Sequence, residues 1–384
     1  MRIYLDYNAT APLRPKARAA MVVALDAQGN AQSVHAEGRS ARALIEDARR
    51  KVAQLAGATS DNVIFTSGGS EANALALRGA IQGAATSGER ITRLIVSAVE
   101  HDSVRANASV CEETTPGLRL LTCPVDSNGV IDLEALRHLL AEGKGRALVS
   151  LMAANNETGV IQPVAQAAAL AREAGALVHC DAVQLAGKAQ LAFGDLGIDY
   201  LSLSAHKLGG PQGVGALVVR QNAPFASQIK GGGQEFGRRA GTENVAAIAG
   251  FAAAADAARN DDPATWAAWR SDLERSLCSR CSDAVVFGAA DRLPNTICIA
   301  APSVPSENMV IALDLDGFAV SAGAACSSGK VTQSHVLTAM GVDPRLAGAA
   351  IRVSFGWNTK QEDLAAFADA WARIVKRAQA RAAA

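Results

Sequence analysis

Asp199-Tyr-Leu-Ser-Leu-Ser-Ala-His-Lys-Leu-Gly-Gly-Pro-Gln-Gly-Val-Gly215 is the stretch whose reading decides the fold. It opens as an apolar strand, reaches Ser204, His206 and Lys207, turns through glycine and proline, and resumes as an apolar strand over 214–220. In open α/β sheets ligands bind beyond the carboxyl ends of the strands, where such polar side chains collect. An amine at that position, beside hydroxyl and imidazole donors, is suited to holding a phosphorylated aldehyde as a Schiff base. The same residues also fit a surface lysine after a strand, so the remaining chain must decide.

Upstream, short apolar strands alternate with helical patterns. Strand character falls at 62–66, 93–97, 118–122, 147–152 and 177–180, and helical periodicity at 16–27, 41–55, 71–83, 132–141 and 163–174. Ala41, Leu44, Ile45, Ala48, Val52 and Leu55 form one apolar stripe at helical spacing. Apolar strands separated by helices build a largely parallel sheet covered on both faces. From about 260 the pattern changes to α+β: helix 266–281, strands 284–287 and 295–300, helix 306–315, strand 318–320, strand 350–355 and a long helix 360–382. The expected organisation is a large domain over 15–258 and a smaller one built from 1–14 and 259–384.

Composition narrows the function. With 384 residues, 49% hydrophobic but only 4% aromatic, the core must be aliphatic and alanine-rich. Thirty-seven acidic and 37 basic residues cancel, which argues against nucleic acid as a partner. Asp6 interrupts any apolar leader, and the most apolar long run, 245–258, contains Asp256 and is too short to span a bilayer; a cytoplasmic protein without a membrane partner is expected. Seven scattered cysteines do not form a disulfide framework. Cys278-Ser-Arg-Cys281 has metal-ligand spacing but no second pair, so no resident metal is expected.

Each remaining polar cluster follows a strand. Ser67-Gly-Gly-Ser70-Glu71 precedes a helix, whose N-terminus attracts anions; Ser70 would otherwise cap that helix. His101, in Glu100-His-Asp102, can stack on a flat ring or move a proton. Asn155-Asn156-Glu157-Thr-Gly159 offers two amides or a simple turn. Asp181 ends a buried strand, where a carboxylate needs a cation such as a protonated pyridine nitrogen. Thr242, in Gly237-Arg-Arg-Ala-Gly-Thr242-Glu-Asn244, is either an N-cap or a phosphate donor toward a neighbouring subunit. Cys326 sits in a run of small residues, Ser321-Ala-Gly-Ala-Ala-Cys326-Ser-Ser-Gly-Lys330, a setting suited to a nucleophilic thiol, whereas Cys180 and Cys298 read as core. Arg352, inside the apolar strand at 350–355, requires an anion: a substrate carboxylate or an internal ion pair.

As an ordered set these motifs resemble the pyridoxal-phosphate cysteine desulfurases of the NifS/IscS type, in the class V aminotransferase superfamily. The resemblance runs from Tyr4-Leu-Asp-Tyr-Asn-Ala-Thr10 through Thr66-Ser-Gly-Gly-Ser-Glu-Ala-Asn73, Asp181-Ala-Val-Gln184 and Ser204-Ala-His-Lys207 to Ala325-Cys-Ser327 and Ile351-Arg-Val-Ser-Phe-Gly356. It implies the α/β pyridoxal-phosphate transferase fold type I, with a mostly parallel seven-stranded sheet in the large domain and a homodimer with sites at the subunit interface. It further implies that Lys207 bonds the cofactor and shuttles the Cα proton, Asp181 pairs with the pyridine nitrogen, and His101 stacks on the ring and assists proton transfer. Gln184 and Asn156 face the ring oxygen and substrate, Gly69, Ser70, Ser204 and His206 hold the phosphate, and Thr242 comes from the partner subunit. Arg352 binds the carboxylate of L-cysteine, and Cys326 takes its sulfur as a persulfide, leaving L-alanine. The small-residue loop looks like that of relatives that hand sulfur to a scaffold or carrier protein, where Cys326 could also contact a transferred iron–sulfur cluster. Ser70 and Trp357 depart from the threonine and arginine common in such relatives. Alternatives are a selenocysteine lyase or another class V aminotransferase, which Cys326 discriminates, and a non-catalytic scaffold that binds no cofactor.

Overall fold

The alternation of strands and helices becomes a seven-stranded sheet. In the computed structural model, which describes residues 2–289, 291–322 and 333–383, β1 (Ile3–Tyr4) leads into α1 (Pro15–Asp26) and α2 (Ala36–Ala56). Then follow β2 (Val63–Thr66), α3 (Gly69–Thr86), β3 (Ile91–Ser97), α4 (Asp102–Thr114), β4 (Arg119–Cys123), α5 (Leu133–Ala141), β5 (Arg146–Met152), α6 (Val164–Glu173), β6 (Leu177–Asp181), α7 (Phe193–Leu196), β7 (Tyr200–Ser204) and β8 (Gly215–Val219). The strand order is β2-β8-β7-β6-β5-β3-β4. Neighbours from β7 to β4 pair in parallel, while β8 runs antiparallel to both β2 and β7. Strand alternation divides the core between the two faces. Ile95 of β3 joins the cluster containing α2, α5 and α6 residues, and its neighbours Leu94 and Val96 join that of α3 and α4. Helix α8 (Val245–Ala258) is apolar nearly all round and is correspondingly buried, with Phe251 fully covered.

The chain closes with α9 (Pro263–Arg280), β9 (Val285–Phe287), β10 (Thr296–Ala300), α10 (Ser306–Leu315), β11 (Phe318–Ala319), β12 (Ser321–Ala322), α11 (His335–Ala339), α12 (Pro344–Gly348), β13 (Ala350–Ser354) and α13 (Gln361–Ala383). Asp262 caps α9 through Ala264 N and Thr265 N, as its Asp-Asp-Pro start signals. A four-stranded antiparallel sheet, β12-β13-β10-β9, shares a second core with α9 and α13 around Trp371, Phe367 and Phe355. The N-terminal strand belongs with this core: β1 pairs in parallel with β11, and Leu5 is fully buried in it. Returning from there to α1, the chain carries Asn8, Ala9 and Thr10 past the end of the large sheet.

Helix α4 has no counterpart among the expected elements. Its buried residues are Val104, Ala108 and Cys111, a stripe too small and weakly apolar to stand out against its polar face. Cys180 and Cys298 are fully buried in β6 and β10, as expected.

Candidate active site

β6 and β7 are parallel neighbours, so their carboxyl ends deliver Asp181 and Ser204 to the same edge, with Lys207 one short turn beyond. There a cavity of about 300 Å³ collects Lys207, Asp181, His101, Asn156, Gln184 and Arg352, together with Gly69, Ser70, Ser204 and His206. Thr242 does not line this cavity and is exposed; Cys326 lies outside the described residues. The cap of α8 is Asn244, which accepts from Ala247 N, so Thr242 is not the N-cap.

One end of the cavity is built for an anion. Helix α3 starts without a side-chain cap, leaving its first N–H groups to whatever lies beyond; the Ser70 capping alternative does not hold. Ser204 Oγ is buried and has no hydrogen-bond partner among the described residues. Gly69 keeps this end open: a Cβ there would lie 2.8 Å from Val183 Cγ2 and 3.4 Å from Ser204 Cβ. Gly215 allows β8 to approach the loop, since its Cβ would meet Gly68 C and Leu203 O at 2.6 Å. His206 Nδ1 lies 3.2 Å from Thr10 Oγ1; burial first, and then Lys207 and Lys188, push its pKa down to about 4, so near pH 7 it is a neutral imidazole.

The opposite end holds the carboxylate. Asp181 accepts from Asn73 Nδ2 at 2.8 Å and Val183 N at 3.0 Å. Asn73 Nδ2 also donates to Ser103 Oγ (2.9 Å), which lies 2.8 Å from His101 Nδ1. Ser103 N donates to that same nitrogen at 3.1 Å, so in the neutral ring Nδ1 is the acceptor and the proton sits on Nε2. His101 is thereby the cap of α4 and is linked to Asp181 through two side chains, Asn73 and Ser103, whose roles were not singled out from sequence. A buried asparagine on the otherwise apolar face of α3 is the signal that marks the first of them. Beneath lies Glu100, fully buried, accepting from Met152 N at 2.6 Å. Burial and then the charge of Asp181 hold its carboxyl well above the ordinary range.

Arg352 is 2% exposed and makes the internal ion pair. Its Nη2 meets Asp6 Oδ1 at 2.8 Å, the internal ion pair, and its Nη1 donates to Asn156 O at 3.1 Å. Nε is buried without a partner among the described residues, and the side chain still faces the cavity. Gln184 reaches the cavity with its amide already held: Nε2 donates to Asn8 O (3.0 Å) and Oε1 accepts from Lys188 Nζ (2.9 Å). Lys207 Nζ donates to Asn8 O at 2.7 Å and Ala9 O at 2.9 Å. Trp357, the departure noted above, donates to Pro12 O at 3.0 Å and lies under the Arg14 guanidinium.

Pyridoxal phosphate fits this set of groups. The unpartnered Ser204 hydroxyl, the open Gly69 and the uncapped α3 suit a phosphate; Asp181, held by two donors and facing the cavity, suits a ring nitrogen that carries a proton; and Lys207 provides the amine. Elsewhere, Cys281 Sγ donates to Asp283 Oδ1, Cys278 is exposed, and no metal-binding group of three or more ligands occurs among the described residues.

Comparison with known proteins agrees with this geometry. Residues 3–367 match the family model for Aminotransferase class-V. The chain is 45% identical over 367 residues to a cysteine desulfurase of Cereibacter sphaeroides, covering 94% of this chain and 92% of that one. It is 40% identical over 380 residues to the cysteine desulfurase IscS of Dictyoglomus turgidum, with 98% and 95% covered. A solved structure described as a NifS-like protein superposes with a TM-score of 0.89 at 34% identity, covering 98% of this chain and all of that one.

Proposed function

Because the chain belongs to the class V aminotransferase family, we propose that it is a pyridoxal-phosphate-dependent cysteine desulfurase. It removes sulfur from L-cysteine to leave L-alanine, carries that sulfur on Cys326 as a persulfide, and passes it to an acceptor protein. The observation that carries this reading is the convergence of Lys207, Asp181 and Arg352 on one cavity in a chain 45% identical to a named cysteine desulfurase. The IscS name of a second relative supports an acceptor in iron–sulfur cluster assembly. The absence of a helix long and apolar enough to cross a membrane, among the described residues, agrees with a cytoplasmic setting.

When bound, pyridoxal phosphate withdraws electrons and makes the substrate Cα proton labile. Lys207, whose Nζ donates to Asn8 O and Ala9 O, would hold it and would carry that proton. Asp181, fixed by Asn73 and Val183 N, keeps the ring nitrogen charged. His101, with its orientation set by Ser103, would cover the ring face. Gly69, Ser70, Ser204 and His206 hold the phosphate, and Thr242, exposed on its own subunit, completes the partner's site in a homodimer. Gln184 and Asn156 orient the ring oxygen and substrate, and Arg352 holds the substrate carboxylate. Residues 15–258 form the large domain, and 1–14 with 259–384 the small one that carries Cys326.

Cys326→Ala tests the assignment. With dithiothreitol present to reduce the persulfide, it should bind the cofactor with unchanged absorbance yet release less than about 1% of wild-type sulfide from L-cysteine, because the chemical step loses its nucleophile. Retained turnover would remove the desulfurase reading in favour of another class V activity.

A further inference from the structure

A second lysine lies under the site. Lys188 is 5% exposed, and its ammonium donates to two neutral oxygens, Asn8 Oδ1 and Gln184 Oε1, both at 2.9 Å. The described residues give it no carboxylate partner in an ion pair. From the same two residues the contacts lead outward to the cavity. Gln184 Nε2 donates to Asn8 O at 3.0 Å, and Lys207 Nζ donates to that same oxygen at 2.7 Å. Asn8 Nδ2 donates to Asn156 O (3.1 Å) and Thr296 Oγ1 (2.9 Å), and Asn156 O also accepts from Arg352 Nη1 at 3.1 Å. Asn8 is therefore the hub on which Lys207, Gln184, Asn156 and, through Asn156, Arg352 are referenced.

We infer that Lys188 is a positioning residue: its amine fixes the orientation of the Gln184 and Asn8 amides and thereby sets where Lys207 is held and which atoms Gln184 turns to the cofactor. An amide can rotate by half a turn with little change in shape, so its direction is decided by its neighbours. Lys188 offers only donors. If Gln184 were reversed, its NH2 would face that ammonium and its oxygen would face Asn8 O, replacing two hydrogen bonds by two repulsive contacts. The same reasoning holds Asn8 Oδ1 toward Lys188 and Asn8 Nδ2 toward Asn156 O. A methionine could fill the volume but could not donate to two amide oxygens. Lys188 also adds charge to a cationic surround: Lys207, His206 and Arg352 act on it or feel it from the cavity side, while on the opposite side Asp261 is taken up by Arg14. Burial, and then the charges of Lys207 and Arg352, lower the pKa of Lys188 well below the ordinary lysine value.

This inference rests on the proposed function, and the test separates the two. The holoenzymes of wild type, Lys188→Met, Gln184→Ala and the double variant are titrated with pH while the visible absorbance of the Lys207-bound cofactor is followed. Cofactor affinity is measured by reconstitution of the stripped proteins. Lys188→Met should move the spectroscopic midpoint by about one pH unit and weaken cofactor binding about tenfold, the size expected for losing one oriented, charge-assisted contact. In the Gln184→Ala background part of that shift should vanish, because Gln184 is one of the two amides through which Lys188 acts. Should Lys188→Met fail to fold, Lys188→Gln, which keeps N–H donors but no charge, is read in the same way with a smaller shift. Unmoved midpoint and affinity in a folded Lys188 variant, or full additivity with Gln184→Ala, overturn the role of Lys188. A wild-type protein with no Lys207-bound absorbance overturns the proposed function instead.

Discussion

Ser204 shows what a buried, unpartnered hydroxyl costs a folded chain. Its hydroxyl is buried at the end of β7 without a partner among the described residues, a condition that burdens the protein by about 1–3 kcal/mol until a ligand supplies one. Ser204→Ala should therefore leave the cofactor-free protein as stable as wild type or melt it a few degrees higher, while weakening cofactor binding by about tenfold. Differential scanning calorimetry with and without cofactor checks both halves. A destabilised apo variant with unchanged affinity would make the hydroxyl a structural group. Ser204 was legible in the sequence because it stands at a strand end beside His206 and Lys207. Asn73 and Ser103 were not, because what makes them functional is contact with Asp181 and His101, residues 108 positions and 2 positions away respectively. Arg352 was legible as an arginine needing an anion; that Asp6, 346 positions earlier, supplies part of it depends on β1 joining the C-terminal core.

At the scale of elements, helix α11 begins at a residue with two duties. Ser334 Oγ accepts from Leu337 N at 3.1 Å, capping the helix, and donates to Glu157 Oε2 at 2.6 Å. Burial raises the Glu157 carboxyl to about 7, against the lowering effects of Ser334 and Arg352. Between about pH 4.5 and 7 the folded state thus keeps a proton that the unfolded chain has lost, so this group's contribution to stability falls as pH rises through that window. His179, held between Ser150 Oγ and Ser202 Oγ, and His206 are both lowered to about 4; they act in the opposite sense, with stability lost as pH falls from 6.5 toward 4. The difference between wild type and Glu157→Gln isolates the carboxyl. Chemical denaturation should show the variant gaining on wild type by on the order of 2 kcal/mol from pH 5 to 8. A constant difference across that range would mean that Glu157 titrates normally. Most elements were legible because burial on both sheet faces leaves unbroken apolar strands. The direction of β8 was not, since a strand buried on both faces reads the same whichever way it runs, and α4 escaped because its buried stripe is made of small side chains.

For the whole molecule, the arrangement explains why so much chemistry could be read from short motifs. Parallel strands bring their carboxyl ends to one edge, so residues after β2, β3, β5, β6 and β7 converge without needing to be near one another in sequence. The N-terminal segment adds Asn8 to that edge because it is tied at both ends, by β1 to β11 and by the buried Arg14–Asp261 ion pair. What sequence spacing alone does not supply is the hub: Asn8 meets Lys188 and Lys207 through this crossing of the chain. In the proposed reaction sulfur leaves L-cysteine for Cys326 at this site. The most direct measurement is a single turnover of holoenzyme with one equivalent of sulfur-labelled L-cysteine and no reductant, followed by peptide mass analysis and alanine determination. Transfer to Cys326 gives one alanine and one labelled sulfur on the peptide containing Cys326 for each active site, with the label released by dithiothreitol. Alanine formed with the label elsewhere, or a labelled product formed without alanine, would contradict it.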